Sequence, residues 1–291
     1  MEACHLCPRH CGASRTPNAL GVCGQTRQIR IARAALHPYE EPPISGNRGS
    51  GTVFFCGCSL RCVFCQNRAI SRGEQIGEAV TPRELTDIFL RLEQEGAHNI
   101  NLVTPTHFLD GVLQALELVK HRLTIPVLYN TSGYELVEAL GRLEGLVDIY
   151  LPDFKYYSSK VSAKYSGAPD YREIAEKALL EMYRQVGTFT LDTDGLLRSG
   201  LLVRHLVLPG NRHDSMAVLS RLSELLPVTD LRLSLMSQYT PDFALECPHK
   251  ELHRRVTRFE YESVLEHALS LGFTGYMQGR ASASSLYTPN F

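Results

Sequence analysis

The sequence has no excess of charge of either sign. Its 291 residues include 30 lysines and arginines and 31 aspartates and glutamates, which gives a formal net charge of -1. Proteins that bind nucleic acid or anionic membranes through their overall charge carry a positive balance. The near-neutral total and the lack of a basic tract therefore argue against a nucleic-acid-binding protein.

Long apolar runs are also missing. The first ten residues, MEACHLCPRH, lack the apolar core of a signal peptide, and no later stretch is long and apolar enough to span a bilayer. We therefore expect a cytoplasmic protein without a membrane partner. There is no repeat period and no low-complexity tract, and 44% hydrophobic residues are enough to form a large core.

Cysteine, by contrast, is frequent and unevenly placed. The chain has nine cysteines; eight precede residue 66 and only Cys247 stands apart. Disulfides are rare in a reducing compartment, so metal binding or redox chemistry explains this distribution better. We expect Cys56 to be a packed, buried thiol, and Cys247 to be either a buried thiol or a second catalytic group.

From residue 51 onward, short apolar runs typical of buried strands alternate with helical patterns. Strands are predicted at 51–56, 99–104, 125–130, 148–151, 201–208, 231–236 and 275–278. Helices are predicted at 81–96, 109–120, 135–143, 172–186, 214–226 and 257–272. Two of these helices begin with a capping-box pattern, formed by Thr81 with Glu84 and by Thr257 with Glu260.

Six or seven strand–helix units in succession predict an α/β protein with a parallel sheet. Polar clusters follow strand after strand (TPTH, NTSG, PDFK, PGNRHD, SQYTP). This favours a full or partial (β/α) barrel over a doubly wound sheet, whose site lies at one switch point. We expect a cysteine-rich metal-binding leader at 1–45 and the barrel at 46–291, with the Pro- and Gly-rich stretch 40–51 as a linker or rigid turn.

The stretch CGCSLRCVFCQN (56–67) follows the first predicted strand of the barrel. In it, Cys58, Cys62 and Cys65 have the spacing C-x3-C-x2-C. A structural zinc site needs four protein ligands, usually in C-x2-C pairs, and a redox pair needs only two cysteines. Three thiolates on one loop suit a [4Fe–4S] cube with one iron open to a small molecule, because fully ligated clusters serve mainly in electron transfer.

The segment CSLRCVFC resembles the CxxxCxφC signature of the radical S-adenosylmethionine (SAM) enzymes, with Phe64 as the aromatic residue. The resemblance implies a partial (β/α)6 barrel with a [4Fe–4S] cluster on Cys58, Cys62 and Cys65. It also implies SAM as cofactor, its cleavage to a 5′-deoxyadenosyl radical, and an electron donor such as flavodoxin or ferredoxin. The cofactor supplies the chemistry, and the protein places and shields it.

Further pieces are similar to the pyruvate formate-lyase-activating-enzyme-like branch of that superfamily, in particular to a group with its own cysteine-rich leader. These pieces are EEPPISGNRGSGTVFFCGCSLRCVFCQN, NLVTPTHF, NTSGYE, VDIYLPDFKYY, RHLVLPGN and SLMSQYTP. The resemblance implies that the loops after the strands hold SAM. Many family members have a Gly-Gly-Glu stretch after the second strand, and this chain departs from it with Thr104, Pro105, Thr106 and His107.

Each predicted SAM ligand has a structural alternative. Thr104, Thr106 and His107 offer hydroxyls and an imidazole, although Thr106 is equally suited to cap a helix. Asn130 and Ser132 suit the SAM carboxylate or ribose, or again a helix cap.

Two charged positions stand out in later strands. Asp153 and Lys155 are two apart, so they face the same side of an extended strand end, and a surface salt bridge is the alternative to SAM contact. Arg204 lies within the apolar run LLVRHLVL, where an unpaired charge is costly, and the resemblance implies the SAM carboxylate as its partner. His205 points to the other face and is expected to be a packed, hydrogen-bonded histidine, and Gln238 is a weaker candidate for ribose or substrate. Asp153 and Lys155 resemble an Asp-x-Lys pair that contacts SAM in the activating enzymes.

The leader has a second cysteine set. Cys4, Cys7, Cys11 and Cys23 read C-x2-C-x3-C-x11-C, with His5 and His10 as spare ligands. Four thiolates close a site around zinc, which would anchor a leader too small to fold alone, or around an auxiliary iron–sulfur cluster. The spacing leaves both metals open.

The leading functional hypothesis is a radical SAM enzyme that acts on a protein, in the style of an activase that abstracts a glycine hydrogen from a glycyl-radical enzyme. Radical modification of a peptide or small molecule is the enzymatic alternative. The non-enzymatic alternative is a scaffold protein that holds an iron–sulfur cluster or zinc. In such a scaffold, Asp153, Lys155 and Arg204 would form structural ion pairs.

Overall fold

The computed structural model describes residues 3–72 and 76–277. Within these residues the strands are β1 (Ile29–His37), β2 (Ser50–Phe55), β3 (Glu78–Val80), β4 (Ile100–Val103), β5 (Val127–Thr131), β6 (Ile149–Pro152), β7 (Thr190–Leu191), β8 (Leu197–Leu206), β9 (Arg232–Met236) and β10 (Gly275–Met277). The α-helices are α1 (Pro42–Ser45), α2 (Arg68–Ser71), α3 (Pro82–Gln94), α4 (Leu109–Val119), α5 (Val137–Gly141), α6 (Ser159–Ser166), α7 (Tyr171–Val186), α8 (Arg212–Leu225) and α9 (Arg258–Ser270). Short 3-10 helices occupy Thr106–Phe108, Pro241–Phe243 and Lys250–His253.

The strands form one open, mostly parallel sheet. Its order is β10-β9-β8-β6-β5-β4-β2-β1-β3, with β7 paired to β8 at the side. From β2 to β10 the neighbours are parallel and follow one another in chain order, whereas β1 is antiparallel to β2 and β3 is antiparallel to β1. In a doubly wound sheet the order of the strands across the sheet reverses at a switch point. The parallel strands of this sheet show no such reversal.

The α/β prediction of a partial barrel with successive strand–helix units is therefore confirmed. Most predicted strands and helices appear within a few residues of their expected bounds. In the last predicted strand, 275–278, Gln278 lies outside the described residues. No helix among the described residues has the length and apolarity needed to cross a membrane.

The cysteine-rich N-terminal extension is present, and its last part joins the sheet. β1 pairs with β2 along most of its length, from Ile31 against Phe55 to His37 against Ser50. The stretch 40–51, expected as a linker or turn, contains the short helix α1 and the first residues of β2. The division of the chain at residue 45 stays a prediction.

The core lies between the sheet and its covering helices. All residues of β2, β4, β5 and β6 are buried, as expected for parallel strands covered on both faces. In α3, Leu85, Phe89 and Leu92 are fully buried, and each such side chain contributes roughly 1.5–3 kcal/mol on burial. Both predicted capping boxes are formed and fix the first turns of α3 and α9.

Candidate functional site

The loop after β2 carries Cys58, Cys62 and Cys65, and backbone geometry fixes its shape. Gly57 has a φ of 82°, and a Cβ at this position would lie 2.5 Å from the carbonyl oxygen of Cys23. A side chain at position 57 would therefore collide with the backbone of Cys23 and displace the loop. The amide of Gly57 also donates to the carbonyl of Ile70 at 2.7 Å, which closes the loop onto α2.

The three thiols of this loop open onto one cavity of about 210 Å³ at the carboxyl ends of the strands. Burial first, and then the neighbouring Cys65 thiol, raises the pKa of Cys58 to about 12. The pKa of Cys65 is raised by burial and by Cys62. Hydroxyl groups approach two of the sulfurs: Ser166 Oγ lies 3.1 Å from Cys62 Sγ and Ser71 Oγ lies 3.4 Å from Cys65 Sγ. Holding Cys58 and Cys65 as thiolates thus requires added positive charge.

Most of the predicted site residues line the same cavity. They are Cys58, Cys62, Phe64, Cys65, Thr104, Asn130, Ser132, Asp153, Lys155, Arg204 and Gln238. Phe64 packs edge-on against Tyr165 and Tyr239, with ring centroids 6.3 and 6.2 Å apart. Thr104 has a φ of 60°, uncommon for a residue other than glycine, and its amide donates to the carbonyl of Asn130 at 2.8 Å. The folded chain thus gathers residues from the ends of six strands, β2, β4, β5, β6, β8 and β9.

Asp153, Lys155 and Arg204 form a charged network in the cavity wall. Lys155 Nζ lies 2.5 Å from Asp153 Oδ2, and Arg204 Nε lies 3.1 Å from Asp153 Oδ1. Each side chain is only 16% exposed, so this is not the surface salt bridge considered from the sequence. Burial alone would raise the pKa of Asp153, but the two cations hold it below its usual range. Asp153 is therefore ionised.

Glu40 completes the network and was missed in the sequence. Its Oε2 lies 3.3 Å from Arg204 Nη1, and its Oε1 accepts from the Asn101 side-chain amide at 3.0 Å. Arg204 also donates to Asn130 Oδ1 at 2.5 Å. Arg204 is thus already paired within the chain, whereas the sequence had pointed to SAM as its partner. The only local signal for Glu40 was a pair of carboxylates before two prolines.

Two predicted cofactor ligands, Thr106 and His107, do not line this cavity, and that prediction needs correction. Thr106 Oγ1 donates to Glu135 Oε1 at 2.5 Å, and the side chain makes no helix cap. His107 Nε2 lies 2.6 Å from the carbonyl oxygen of Cys56, to which it donates. Burial lowers the pKa of His107 to about 3, so the imidazole is neutral. The 3-10 helix after β4 thus directs His107 beneath the cysteine loop and Thr106 toward Glu135.

Three other sequence-based expectations concern residues outside the cavity lining. His205 is buried and its Nδ1 lies 2.7 Å from the carbonyl oxygen of Phe154, which confirms a packed, hydrogen-bonded histidine. Cys56 is fully buried and its thiol donates to the carbonyl of Ile76 at 3.3 Å, so it is the expected packed thiol. Cys247 is half-buried.

In the leader, the thiols of Cys4, Cys7 and Cys23 are buried and that of Cys11 is partly exposed. All four are free cysteines. The buried guanidinium of Arg15 approaches Cys4 Sγ at 3.9 Å. Within residues 3–72 and 76–277, no three His, Cys, Asp or Glu side chains are arranged around a single metal ion. Metal binding by the leader stays a prediction.

Residues 52–197 match the model of the Radical SAM superfamily. The chain is 30% identical to the uncharacterized protein MJ0674 of Methanocaldococcus jannaschii over 279 residues, which are 92% of this chain and 75% of that protein. A second uncharacterized protein of this organism, MJ0808, is 25% identical over 154 residues, 48% of this chain and 46% of its own length.

Two solved structures share the fold at low sequence identity. The crystal structure of Streptococcus suis SuiB bound to precursor peptide SuiA matches with a TM-score of 0.51 and 14% identity, over 76% of this chain and 46% of that one. Methylornithine synthase (PylB) matches with a TM-score of 0.50 and 16% identity, over 73% of this chain and 59% of that one. The chain thus spans about half the length of these two proteins.

Proposed function

The chain belongs to the radical SAM superfamily, and on that premise we propose that Cys58, Cys62 and Cys65 hold a [4Fe–4S] cluster at which SAM is cleaved. When bound, this cluster supplies the single electron that splits SAM into methionine and a 5′-deoxyadenosyl radical. The observation that carries the proposal is that these three free thiols open onto one cavity, which the buried charged network also lines.

The donor set fits such a cluster. Cys58, Cys62 and Cys65 would supply three thiolates to a four-iron cube, and the remaining iron would be open to SAM. The hydroxyls of Ser166 and Ser71 donate to the sulfurs of Cys62 and Cys65, and such hydrogen bonds tune a cluster's potential. Lys155 adds positive charge: burial alone would lower its pKa, but the Asp153 carboxylate and the Cys62 thiol raise it. The ammonium group therefore offsets thiolate charge.

The chain's own polar groups bind and orient SAM. The methionyl part of SAM has an ammonium and a carboxylate, and these match the carboxylate of Asp153 and the cations of Lys155 and Arg204. Asn130 and Ser132 offer an amide and a hydroxyl to the carboxylate or the ribose. We assign the same binding role to the other predicted cavity residues: Phe64, Thr104 and Gln238.

We propose further that the substrate is a peptide or a protein segment. The substrate C–H bond breaks homolytically and its hydrogen atom moves to the 5′ carbon, which yields 5′-deoxyadenosine and a substrate radical. Two observations support a polypeptide. SuiB, which shares the fold, was crystallised with a precursor peptide, and the resemblance to activating enzymes favours a glycine Cα of a glycyl-radical enzyme.

The reaction is tested by anaerobic reconstitution with iron and sulfide, reduction, addition of SAM and chromatography for 5′-deoxyadenosine. We expect product from the wild type and none from the Cys58→Ala, Cys62→Ala, Cys65→Ala triple variant. Cys247→Ala is the matched control and should form product, since this thiol lies outside the cavity lining. A loaded, reduced wild-type protein whose cluster EPR signal does not respond to SAM would instead indicate a scaffold.

The substrate class is tested separately. Candidate peptides and glycyl-radical enzymes carrying deuterium at Cα are mixed with the reduced protein and SAM. Deuterium in 5′-deoxyadenosine identifies the substrate, and a glycine-centred EPR doublet identifies activase chemistry. The polypeptide assignment would be overturned if SAM were cleaved without deuterium transfer from any polypeptide, while a small molecule did transfer deuterium to 5′-deoxyadenosine. The reaction class would still stand.

A further inference from the structure

The two cysteine sets, far apart in the sequence pattern, touch in the folded chain. The amide of Cys58 donates to the carbonyl oxygen of Cys23 at 3.3 Å. The guanidinium of Arg9, two residues from Cys7, donates to the carbonyl of Ser59 at 2.8 Å and to that of Leu60 at 3.2 Å. The leader is therefore fixed to the very loop that carries the cavity thiols.

This contact gives a short path between sulfurs. From Cys23 Sγ it runs along the side chain and carbonyl of Cys23, across one hydrogen bond, and along the backbone and side chain of Cys58 to its Sγ. Electrons can pass between metal clusters along such a chain of covalent bonds and a single hydrogen bond. Zinc has no accessible second oxidation state and would make no use of this path, whereas an iron–sulfur cluster would.

The leader thiols are also graded in exposure. Cys11 is partly exposed, whereas Cys4, Cys7 and Cys23 are 8%, 7% and 5% exposed. A cluster held by all four would thus have one edge toward solvent and the other, at Cys23, toward the cavity loop. That is the arrangement expected of a relay between an external donor and an interior acceptor.

The surroundings of the leader thiols suit a reducible cluster and an acidic donor. Arg15 places a buried cation 3.9 Å from Cys4 Sγ, which favours the additional negative charge of the reduced state. The leader, residues 1–45, contains five arginines and three carboxylates (Glu2, Glu40 and Glu41), although the whole chain carries a slight negative balance. A low-potential electron carrier with an acidic surface would be attracted to this region.

We propose that Cys4, Cys7, Cys11 and Cys23 bind an iron–sulfur cluster that passes single electrons from an external protein donor to the cluster on Cys58, Cys62 and Cys65. This inference rests on the proposed function of the cavity cluster. The donor, a reduced flavodoxin or ferredoxin, loses one electron. The leader cluster gains it and gives it up again, and the cavity cluster is reduced by one electron with no atom transferred.

The metal is tested first on the full chain reconstituted anaerobically with iron, sulfide and zinc all present. Iron, sulfide and zinc are quantified, and Mössbauer spectra are recorded. We expect the Cys58→Ala, Cys62→Ala, Cys65→Ala variant to retain one iron–sulfur cluster, and a Cys4→Ser, Cys7→Ser variant to retain the other. The proposal would be overturned if the Cys58→Ala, Cys62→Ala, Cys65→Ala variant (the cavity triple variant) bound zinc or no metal. It would also be overturned if the wild type bound only one cluster.

The relay is tested by freeze-quench EPR without SAM, so its outcome does not depend on turnover. With reduced flavodoxin as donor, we expect the cavity cluster of the Cys4→Ser, Cys7→Ser variant to be reduced at least about tenfold more slowly than in the wild type. Dithionite, a small reductant that enters the cavity directly, should reduce both at similar rates. Cys247→Ala is the matched control and should behave as the wild type. Equal rates with flavodoxin would overturn the relay.

A measurement on the wild type alone guards against a variant that fails to fold. The signal of the leader cluster, assigned from the cavity triple variant, should appear before that of the cavity cluster and decay as the latter grows. Reduction of the cavity cluster first would overturn the relay. If both clusters are present and are reduced in this order, but no 5′-deoxyadenosine forms after SAM is added, the result counts against the proposed function and not against the relay.

Discussion

Asp153 and Lys155 face each other across a single intervening residue, with Oδ2 and Nζ 2.5 Å apart and both side chains 16% exposed. An ion pair that is mostly removed from water is costly unless further groups complete it. Arg204 and Glu40 complete it, so the cavity wall has two carboxylates and two cations in contact. Removing one of these four charged groups would leave a buried charge without its partner.

Arg204→Lys should weaken SAM binding. Lysine keeps the charge but has no planar fork, so it cannot contact Asp153, Glu40 and Asn130 together. We expect the Kd for SAM, measured by cluster EPR titration, to rise by about tenfold, the equivalent of one charged hydrogen bond. Arg221→Lys, in an ion pair on α8, is the control and should leave the Kd unchanged. An unchanged Kd in Arg204→Lys would remove this residue from the SAM site.

Arg9→Met should detach the leader from the barrel. The Arg9 side chain donates to four carbonyl groups, those of Ser59, Leu60, Ser166 and Gly167, and methionine replaces only its apolar stem. We expect protease cleavage within the leader to become faster and iron content after reconstitution to fall. Arg142→Met, which removes an exposed ion pair, is the control. Wild-type protection in Arg9→Met would mean that the leader is held by other contacts.

Gly133→Ala should destabilise the fold next to the site. Gly133 has a φ of 77°, and a Cβ there would overlap the carbonyl oxygen of Asp153. We expect the free energy of unfolding to fall by about 2–4 kcal/mol because strain and overlap add. Gly141→Ala is the matched control: nothing lies within 4 Å of its Cβ position in α5, so the change should be neutral or slightly stabilising. Urea denaturation compares the two, and equal effects would contradict the prediction.

Glu135 should make stability depend on pH. Burial raises its pKa from 4.5 to about 7, although the hydroxyls of Thr106 and Thr131 donate to it and act in the opposite direction. Because the folded pKa is the higher one, the folded state retains the proton longer than the unfolded state does. Its stabilising contribution is full below about pH 4.5 and is lost as the pH rises through about 7.

The difference in free energy of unfolding between wild type and Glu135→Gln isolates this effect. Over that window we expect it to change by roughly 3 kcal/mol, at about 1.4 kcal/mol for each pKa unit, in favour of the variant at the higher pH. Urea denaturation at a series of pH values measures it. A difference that stays constant from pH 4.5 to 7 would show that Glu135 titrates normally.

The sequence alone determined the order of strands and helices, because apolar periodicity and capping residues are local properties. Thr81 with Glu84 and Thr257 with Glu260 form capping boxes as their spacing predicts. The position of the cysteine loop after β2 followed in the same way. Where this period is interrupted, prediction failed: β1 was not predicted, because its alternation of apolar and polar residues ends after Ile31. Its pairing with β2 also shifts register between Ile31 and Arg33.

Only the tertiary structure decided which residues meet. Glu40 reaches Arg204 across 164 positions, and the leader carbonyl of Cys23 receives the amide of Cys58. Because β1 is antiparallel to β2, the segment before β1 lies at the carboxyl end of β2, next to the cysteine loop, whereas Glu40 follows β1 at the other end of this strand pair. The same packing turns His107 beneath the cysteine loop instead of into the cavity. Spacing in the chain specifies the chemistry that a segment can offer, but long-range packing sets the direction in which each side chain points.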